Sequence, residues 1–325
     1  MRAPRFWDRD SALSRLLKPV GAAYAWVVAH RLEQAEEYRP AVPVICVGNI
    51  VAGGAGKTPV VIALARHLLA AGCKPHLLTR GYGGTEVGPR AVDLDRHDFA
   101  RVGDEALLLA AVAPTWVARW RPDGAVAAAE MGAEIIVMDD GFQNGSIAKD
   151  LSLVVVDGGY GFGNGRPIPA GPCREWPATG LARADAVVVV GKDKTGVAEM
   201  AAQAGLTVLH AKLEPGAEGA GLMGRKVVAF AGIGRPTKFF VTLKQCGARL
   251  VTTTAFPDHH PYTRKEIEDL LAEAEANEAM AITTAKDRVR LPPDLRERVA
   301  ELSVDLIWRD PALLTPLLDR VGVRA

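Results

Sequence analysis

The chain is poor in cysteine: Cys46, Cys73, Cys173 and Cys246 are the only four in 325 residues, and all lie far apart in sequence. None stands in a Cys-x-x-Cys or Cys/His pairing, which excludes the common zinc and dithiol motifs and leads us to expect reduced, structural thiols in a cytosolic compartment. No run reaches the roughly 18 apolar residues of a spanning helix, and no signal-peptide core with a small-residue cleavage site stands at the start. An excess of one charge is missing too, since 39 Lys and Arg face 38 Asp and Glu for a formal net charge of +1. Aromatics are scarce, at 6%, and few lie among the scattered arginines. Neither a basic field nor a stacking surface for nucleic acid is present, so no nucleic-acid partner is expected. No obligate protein partner is evident either.

Hydrophobic residues (49%) and charged residues (24%) are present in the proportions of a globular protein with a real core. Apolar β-rich runs alternate with helical patterns. Strands are expected at 44–47, 76–79, 115–118, 134–138, 153–156 and 186–190, and helices at 57–71, 104–111 and 123–131. Several strands are unbroken Val/Ile runs, as in sheets covered on both faces. The pattern predicts an α/β fold, a largely parallel P-loop NTPase-like sheet with helices on both faces. The stretch 158–180 is rich in glycine and proline and reads as a long functional loop. A second α/β pattern starts near Lys226, with a strand through Phe230, a helix around 237–246 and a strand at 249–254. The glycine-rich stretch 214–224 marks the boundary. We therefore expect an N-terminal segment 1–30, a nucleotide-binding domain 31–219, and a smaller C-terminal α/β domain 220–325 that completes the active-site cleft.

In the N-terminal segment Leu13, Leu16, Leu17, Val20, Tyr24, Val27 and Val28 recur at helical steps, flanked by Arg2, Arg5, Arg9, Arg15, Lys18 and Arg31. A basic amphipathic helix of this kind lies in the headgroup region of a membrane without crossing it. From the pattern alone, an ordinary helix packed on its own domain and kinked at Pro19 fits equally well.

The sharpest signal is Gly48-Asn49-Ile50-Val51-Ala52-Gly53-Gly54-Ala55-Gly56-Lys57-Thr58-Pro59, which follows an expected strand and opens an expected helix. Residues Val51, Ala52, Gly53, Gly54, Ala55 and Gly56 would curl backbone N–H groups around the ATP phosphates. Lys57 would reach the β- and γ-phosphates, and the Thr58 hydroxyl would bind Mg²⁺. The strict pattern has Gly where Val51 stands here, so the loop is a variant. The apolar strand ahead of Asp139 and Asp140 ends in two carboxylates, as a Walker B strand does, and either could hold Mg²⁺ or its waters. Adjacent acids at a turn are usually solvated or capping, but beside a P-loop they make ATP-dependent phosphoryl transfer the leading reaction.

Further motifs resemble one family, the tetraacyldisaccharide 4′-kinases of lipid A synthesis. Besides the loop they are Thr79-Arg80-Gly81-Tyr82-Gly83, Val102-Gly103-Asp104-Glu105, Met138-Asp139-Asp140-Gly141-Phe142-Gln143, Phe256-Pro257-Asp258-His259-His260-Pro261-Tyr262 and Thr283-Thr284-Ala285-Lys286-Asp287. The resemblance implies transfer of the ATP γ-phosphate to the 4′-hydroxyl of a tetraacylated glucosamine disaccharide 1-phosphate, with Mg²⁺, on the cytosolic face of a Gram-negative inner membrane. It implies that Asp104 and His259 act together, the carboxylate taking the sugar proton and the imidazole orienting it. It also turns the N-terminal helix toward interfacial binding, because the substrate's acyl chains stay in the bilayer. Arg80 and Tyr82 are left between a structural turn and contact with phosphate or sugar, Glu175 could approach the metal or the sugar, and Ala285 receives no role. Two rivals stand beside this reading: a P-loop ATPase switch that cycles on a membrane without a small-molecule acceptor, and a non-catalytic nucleotide-binding module.

Overall fold

The computed structural model describes residues 4–323, so Arg2 of the N-terminal segment lies outside the described residues. In chain order the first strands are β1 (Val44–Gly48), β2 (Pro75–Thr79), β3 (Arg90–Ala91), β4 (Thr115–Val117), β5 (Ile135–Asp139), β6 (Leu151–Asp157), β7 (Ala186–Val190) and β8 (Thr207–Pro215). Then come β9 (Lys226–Ala231), β10 (Arg249–Ala255), β11 (Met280–Thr284), β12 (Ala300–Leu302) and β13 (Val304–Trp308). They form a nine-stranded sheet of order β13-β8-β7-β6-β1-β5-β2-β4-β3 and a four-stranded sheet of order β10-β9-β11-β12. The larger sheet is parallel except at its edges, where β13 and β3 run antiparallel to their neighbours.

Successive residues of β1 enter opposite cores. Ile45 and Val47 pack with Val60, Leu64 and Leu68 of the helix Lys57–Ala70, whereas Val44 and Cys46 pack with Ala125 and Ala128 of the helix Arg121–Glu130. Both faces are covered, which is why these strands read as unbroken apolar runs. The six expected strands coincide with β1, β2, β4, β5, β6 and β7 to within two residues at each end. The helix expected from 123 begins at Arg121, because Pro122 fits the first turn, where no N–H partner is needed. The α/β architecture is as expected.

The smaller sheet is parallel throughout. Val228 and Phe230 face Ile267, Leu270 and Leu271, while Val227 and Ala229 face Phe239 and Leu243. The expectation that 220–325 forms one second domain is corrected at its end. The chain leaves the larger sheet after Pro215 and returns at Val304, which pairs with Pro215; Gly216 N–H donates to the Ser303 carbonyl at 2.9 Å beside that pair. Leu306, Leu314, Leu317 and Leu318 then complete the core that contains the helix Lys57–Ala70. Apolar residues at the end of the chain are needed to cover that face, so the second lobe is an insertion.

The N-terminal segment breaks at Leu17 into the helices Ala12–Leu16 and Lys18–Glu33, with Pro19 in the first turn of the second. These helices turn their small residues inward. Ser14, Gly21 and Ala25 are buried, while Leu13, Leu16, Val20, Tyr24, Trp26 and Val27 are exposed, Leu16 by 75%. Their dock is the expected glycine/proline loop: Ser14 Oγ donates to the Ala170 carbonyl at 2.7 Å, Asn164 Nδ2 donates to Ser14 Oγ at 2.7 Å, and Trp7 Nε1 donates to the Pro169 carbonyl at 3.0 Å. The other side of that loop braces the phosphate loop. Ala52 N–H donates to the Pro172 carbonyl at 2.8 Å and Arg174 N–H donates to the Ile50 carbonyl at 2.7 Å.

Gly48 ends β1 against Phe142: a Cβ there would lie 2.4 Å from the Phe142 Cβ and 3.0 Å from its backbone nitrogen. Gly48→Ala is expected to destabilise the protein by about 1–3 kcal/mol, as overpacking a tight site does. A lower urea midpoint at unchanged m value would show this; an unmoved midpoint would mean the contact yields freely.

Candidate active site

The phosphate loop leaves the C-terminal end of β1, where open α/β sheets bind ligands. Gly53 (φ 113°) and Gly56 (φ 88°) take the left-handed conformations that turn the loop into the helix Lys57–Ala70. Val51 instead forms an antiparallel bridge with Cys173, so no glycine is required at the variant position. The sequence reading gave Asn49 no task, yet its buried side chain shapes the loop. Its Nδ2 donates to the Val51 carbonyl at 2.6 Å and to the Gly53 carbonyl at 3.3 Å, while its Oδ1 accepts from Lys57 Nζ at 3.2 Å.

Asp139 and Asp140 follow on β5, next to β1, and differ sharply. Asp140 adopts φ 52° and forms a bidentate pair with Arg174 at 2.7 and 3.1 Å, with Lys57 Nζ 3.6 Å from the same carboxylate. Burial alone would raise its pKa, but the charges and hydrogen bonds of Lys57 and Arg174 outweigh it and hold the carboxyl down to about 2. Both oxygens of Asp139 are buried with no hydrogen-bond partner among the described residues. Burial first, and then the charge of Glu105, push its carboxyl up to about 7.

Across the cleft the smaller sheet presents His259, at φ 57° in a turn after β10, where its N–H donates to the Gly232 carbonyl at 3.1 Å. His259 Nδ1 stands 2.9 Å from Asp104 Oδ2, joining residues 155 positions apart, and Asp104 Oδ1 accepts from the Glu105 N–H at 2.8 Å. Lys286 Nζ lies 3.2 Å from His259 Nε2 and 3.1 Å from Glu105 Oε1, and Arg290 Nε lies 3.4 Å from Asp104 Oδ2. Burial would raise the Asp104 carboxyl, but the His259 hydrogen bond and the charges of Lys286 and Arg290 hold it below the usual carboxylate value. Asp287 anchors this face from beneath: it accepts from Tyr262 Oη at 2.7 Å, Gly232 N–H at 2.8 Å and Arg290 at 2.5 Å. A methyl group at Gly234 would lie 3.6 Å from Asp258 Oδ2 and 3.8 Å from the Gly54 nitrogen, so the histidine turn and the tip of the phosphate loop converge.

The arrangement brings together Asn49, Lys57, Asp139 and Asp140 on one side and Asp104, Glu105, His259, Lys286 and Arg290 on the other. Tyr82 packs against His259 in a T-shaped pair, with centroids 5.1 Å apart, whereas Arg80 is exposed. Glu175 is not free for metal or sugar: it is buried in a bidentate pair with Arg183 at 2.6 and 2.7 Å and accepts from Gln143 at 2.9 Å. Glu105 and Lys286 lie inside recognisable motifs that gave no sign of their work here. Arg174 and Arg290 carried no local signal, since Asp140 and Asp104, which they meet across the site, lie far away in sequence.

A phosphate loop with a lysine, a carboxylate-ended neighbouring strand and a carboxylate–imidazole pair facing them define a P-loop phosphotransferase. The family model for tetraacyldisaccharide-1-P 4′-kinase matches residues 13–322. The tetraacyldisaccharide 4′-kinase of Paramagnetospirillum magneticum is 77% identical over the full length of both chains, and that of Rhodospirillum rubrum is 53% identical over 99% of this chain and 98% of its own. A crystal structure of LpxK from Aquifex aeolicus in complex with ATP superposes with a TM-score of 0.73 at 25% identity, covering 95% of this chain and 99% of that one. The chain belongs to the tetraacyldisaccharide 4′-kinase family.

The orphaned carboxylate has a measurable consequence. A carboxyl near 3.9 in the unfolded chain and near 7 in the folded one binds its proton more tightly when folded. Its contribution to stability is fully present below the unfolded value and is lost as pH rises through about 7. In EDTA, Asp139→Asn is expected to be more stable than the parent at pH 8 by on the order of a few kcal/mol, and the gap should narrow toward pH 5. A gap equal at both pH values, by thermal denaturation, would refute this account.

Proposed function

We propose that this chain transfers the γ-phosphate of ATP to the 4′-hydroxyl of tetraacyldisaccharide 1-phosphate in lipid A biosynthesis. The observation that carries the reading is the convergence of the Asp104–His259 pair and the phosphate loop on one cleft. The loop residues 51–56 cradle the phosphates, apart from the Ala52 N–H, which is held by the Pro172 carbonyl, and Lys57 stabilises the charge that develops on them. Asp104, ionised and within the cleft, takes the hydroxyl proton as the new bond forms. A switch ATPase without an acceptor would leave this pair without a task.

The residues present suit Mg²⁺. Asp139 offers two buried, unpartnered oxygens, and Thr58 adds a hydroxyl at the start of the helix that follows the loop. No group of three or more His, Cys, Asp or Glu that could hold a metal occurs among the described residues. This is compatible with an ion that takes one or two protein oxygens and completes its shell with phosphate and water. Thr58 and Asp139 would hold it, with Asp140 beside them committed to Arg174 and Lys57. When bound, Mg²⁺ neutralises charge on the β- and γ-phosphate oxygens.

No helix among the described residues is long and apolar enough to cross a membrane. We assign docking on the cytoplasmic face of the inner membrane to the exposed apolar residues of the two N-terminal helices, with the insertion 216–303 closing the cleft from the second lobe. Apolar area at the acyl boundary with basic flanks gives such helices their surface affinity.

Purified protein given ATP, Mg²⁺ and the acylated acceptor should form the bis-phosphorylated product, identified by mass spectrometry. ATP turnover unaffected by the acceptor would sink the reading. Asp104→Ala should lower kcat by about 10²–10⁴-fold, His259→Ala by less, and the double variant should be little worse than Asp104→Ala because the two act as a unit. Strictly multiplicative losses would separate them. Leu16→Asp with Val20→Asp should weaken sedimentation with anionic liposomes while leaving the melting temperature nearly unchanged, since both side chains are exposed; full liposome binding would clear these helices of the docking role.

A further inference from the structure

The hydrogen-bonded chain through His259 has a direction. Lys286 Nζ faces His259 Nε2 at 3.2 Å and Glu105 Oε1 at 3.1 Å. An ammonium group has donors and no acceptor. Although burial opposes the charge on Lys286, Glu105, Asp104 and Asp258 together favour the charged form and raise its pKa. Nε2 is therefore the acceptor in this contact and carries no proton. The imidazole proton sits on Nδ1, which donates to Asp104 Oδ2 at 2.9 Å. The turn that carries the ring is held independently by the left-handed backbone at His259 and the bond from its N–H to the Gly232 carbonyl, and the Tyr82 ring packs against the imidazole.

We infer that Lys286 is a positioning residue that locks His259 in the Nδ1–H tautomer, so that Asp104 alone receives the proton of the substrate hydroxyl. The tautomer rests on this geometry; its use in transfer rests on the kinase reading. As the bond from the 4′-oxygen to phosphorus forms and the bond from phosphorus to the leaving β-phosphate oxygen breaks, the hydroxyl proton passes to Asp104. It cannot pass on to His259, because Nδ1 already holds a proton and the Nε2 lone pair is committed to Lys286. The groups facing His259 are Asp104, Lys286, Asp258 (Oδ1 at 3.9 Å) and Tyr82. Arg290 and Glu105 stand one contact further out, on Asp104 and Lys286. Removing the Lys286 charge frees Nε2 and removes one of the cations that hold the Asp104 carboxyl low.

Long-range ¹H–¹⁵N correlation spectra of full-length, histidine-labelled protein test this, with the His259 signals identified by their loss in His259→Gln. The expected result for the parent protein is a protonated Nδ1 and an unprotonated Nε2. In Lys286→Met that pattern should be lost, kcat should fall about tenfold or more with the KM for ATP within about twofold, and the acid limb of kcat/KM should move to higher pH. Lys286→Arg, which keeps a donor and a positive charge, should restore the tautomer and most of kcat. A protonated Nε2 in the parent protein overturns the inference, as does a Lys286→Met variant with unchanged kcat and pH profile. Should Lys286→Met fail to fold, the parent spectrum and Lys286→Arg decide the matter. Full transfer by Asp104→Ala would overturn the general-base reading on its own, leaving the tautomer to be judged by the spectrum.

Discussion

Asp104 is 3% exposed, and a carboxylate buried to that degree persists as a charge only if cations and donors surround it. Its own lobe supplies one backbone N–H, from Glu105. The remaining partners, His259 and Arg290, come from the inserted lobe, and Lys286 of the same lobe adds its charge from its place on His259 and Glu105. The need to satisfy one charge thus fixes how the two sheets face each other. The left-handed turn at His259, the fully buried Asp287 beneath it and the hydroxyl of Tyr262 hold those partners at the right height. On the far side of the phosphate loop the same logic recurs, with Asp157 at the end of β6 taking Arg235 at 2.8 Å and Lys238 at 2.5 Å from the inserted lobe.

Asp139 obeys the opposite rule. It is left unpartnered where its neighbour Asp140 is doubly paired, and it bears the cost of burial as a raised proton affinity. Under the Mg²⁺ role proposed above for Asp139, that forgone stability is what leaves its oxygens open to a cation. Asp140 meanwhile ties Lys57 to Arg174, and through Arg174 to the loop that braces the P-loop from outside. One segment, 158–180, therefore touches both the phosphate loop and the N-terminal helices, which ties the exposed apolar face of those helices to the phosphate loop.

Much of this was legible in the sequence because it is local. The strands β1 and β5 through β7 are rich in Val and Ile, and the P-loop is a contiguous pattern whose glycines serve positive φ at Gly53 and Gly56. The Asp104–His259 pair came from a resemblance of motifs, since nothing in composition or periodicity joins residues 155 apart. What stayed hidden is non-local. Arg290 reads as an ordinary surface residue until it is found buried on Asp104, and β13 shows no sign in its own residues of which sheet it will join. The N-terminal segment was ambiguous for a physical reason. Its apolar residues follow helical spacing whether they face a core or a lipid, and only the burial of Ser14, Gly21 and Ala25 shows which side the protein uses.

The return of β13 bears on how the chain is made. The sheet carrying the phosphate loop lacks an edge strand and part of one core face until Val304–Trp308 and Leu314 to Leu318 have emerged from the ribosome. From the completion of β8 at Pro215 until Val304 is made, β8 is an unpaired edge and Leu64 and Leu68 lack some of their final neighbours, a state open to aggregation and chaperone capture. The inserted lobe has all four of its strands by Leu302 and can pack earlier than the larger sheet within which it is nested. A stop codon that removed only the last two dozen residues would therefore strike the half of the protein that was translated first.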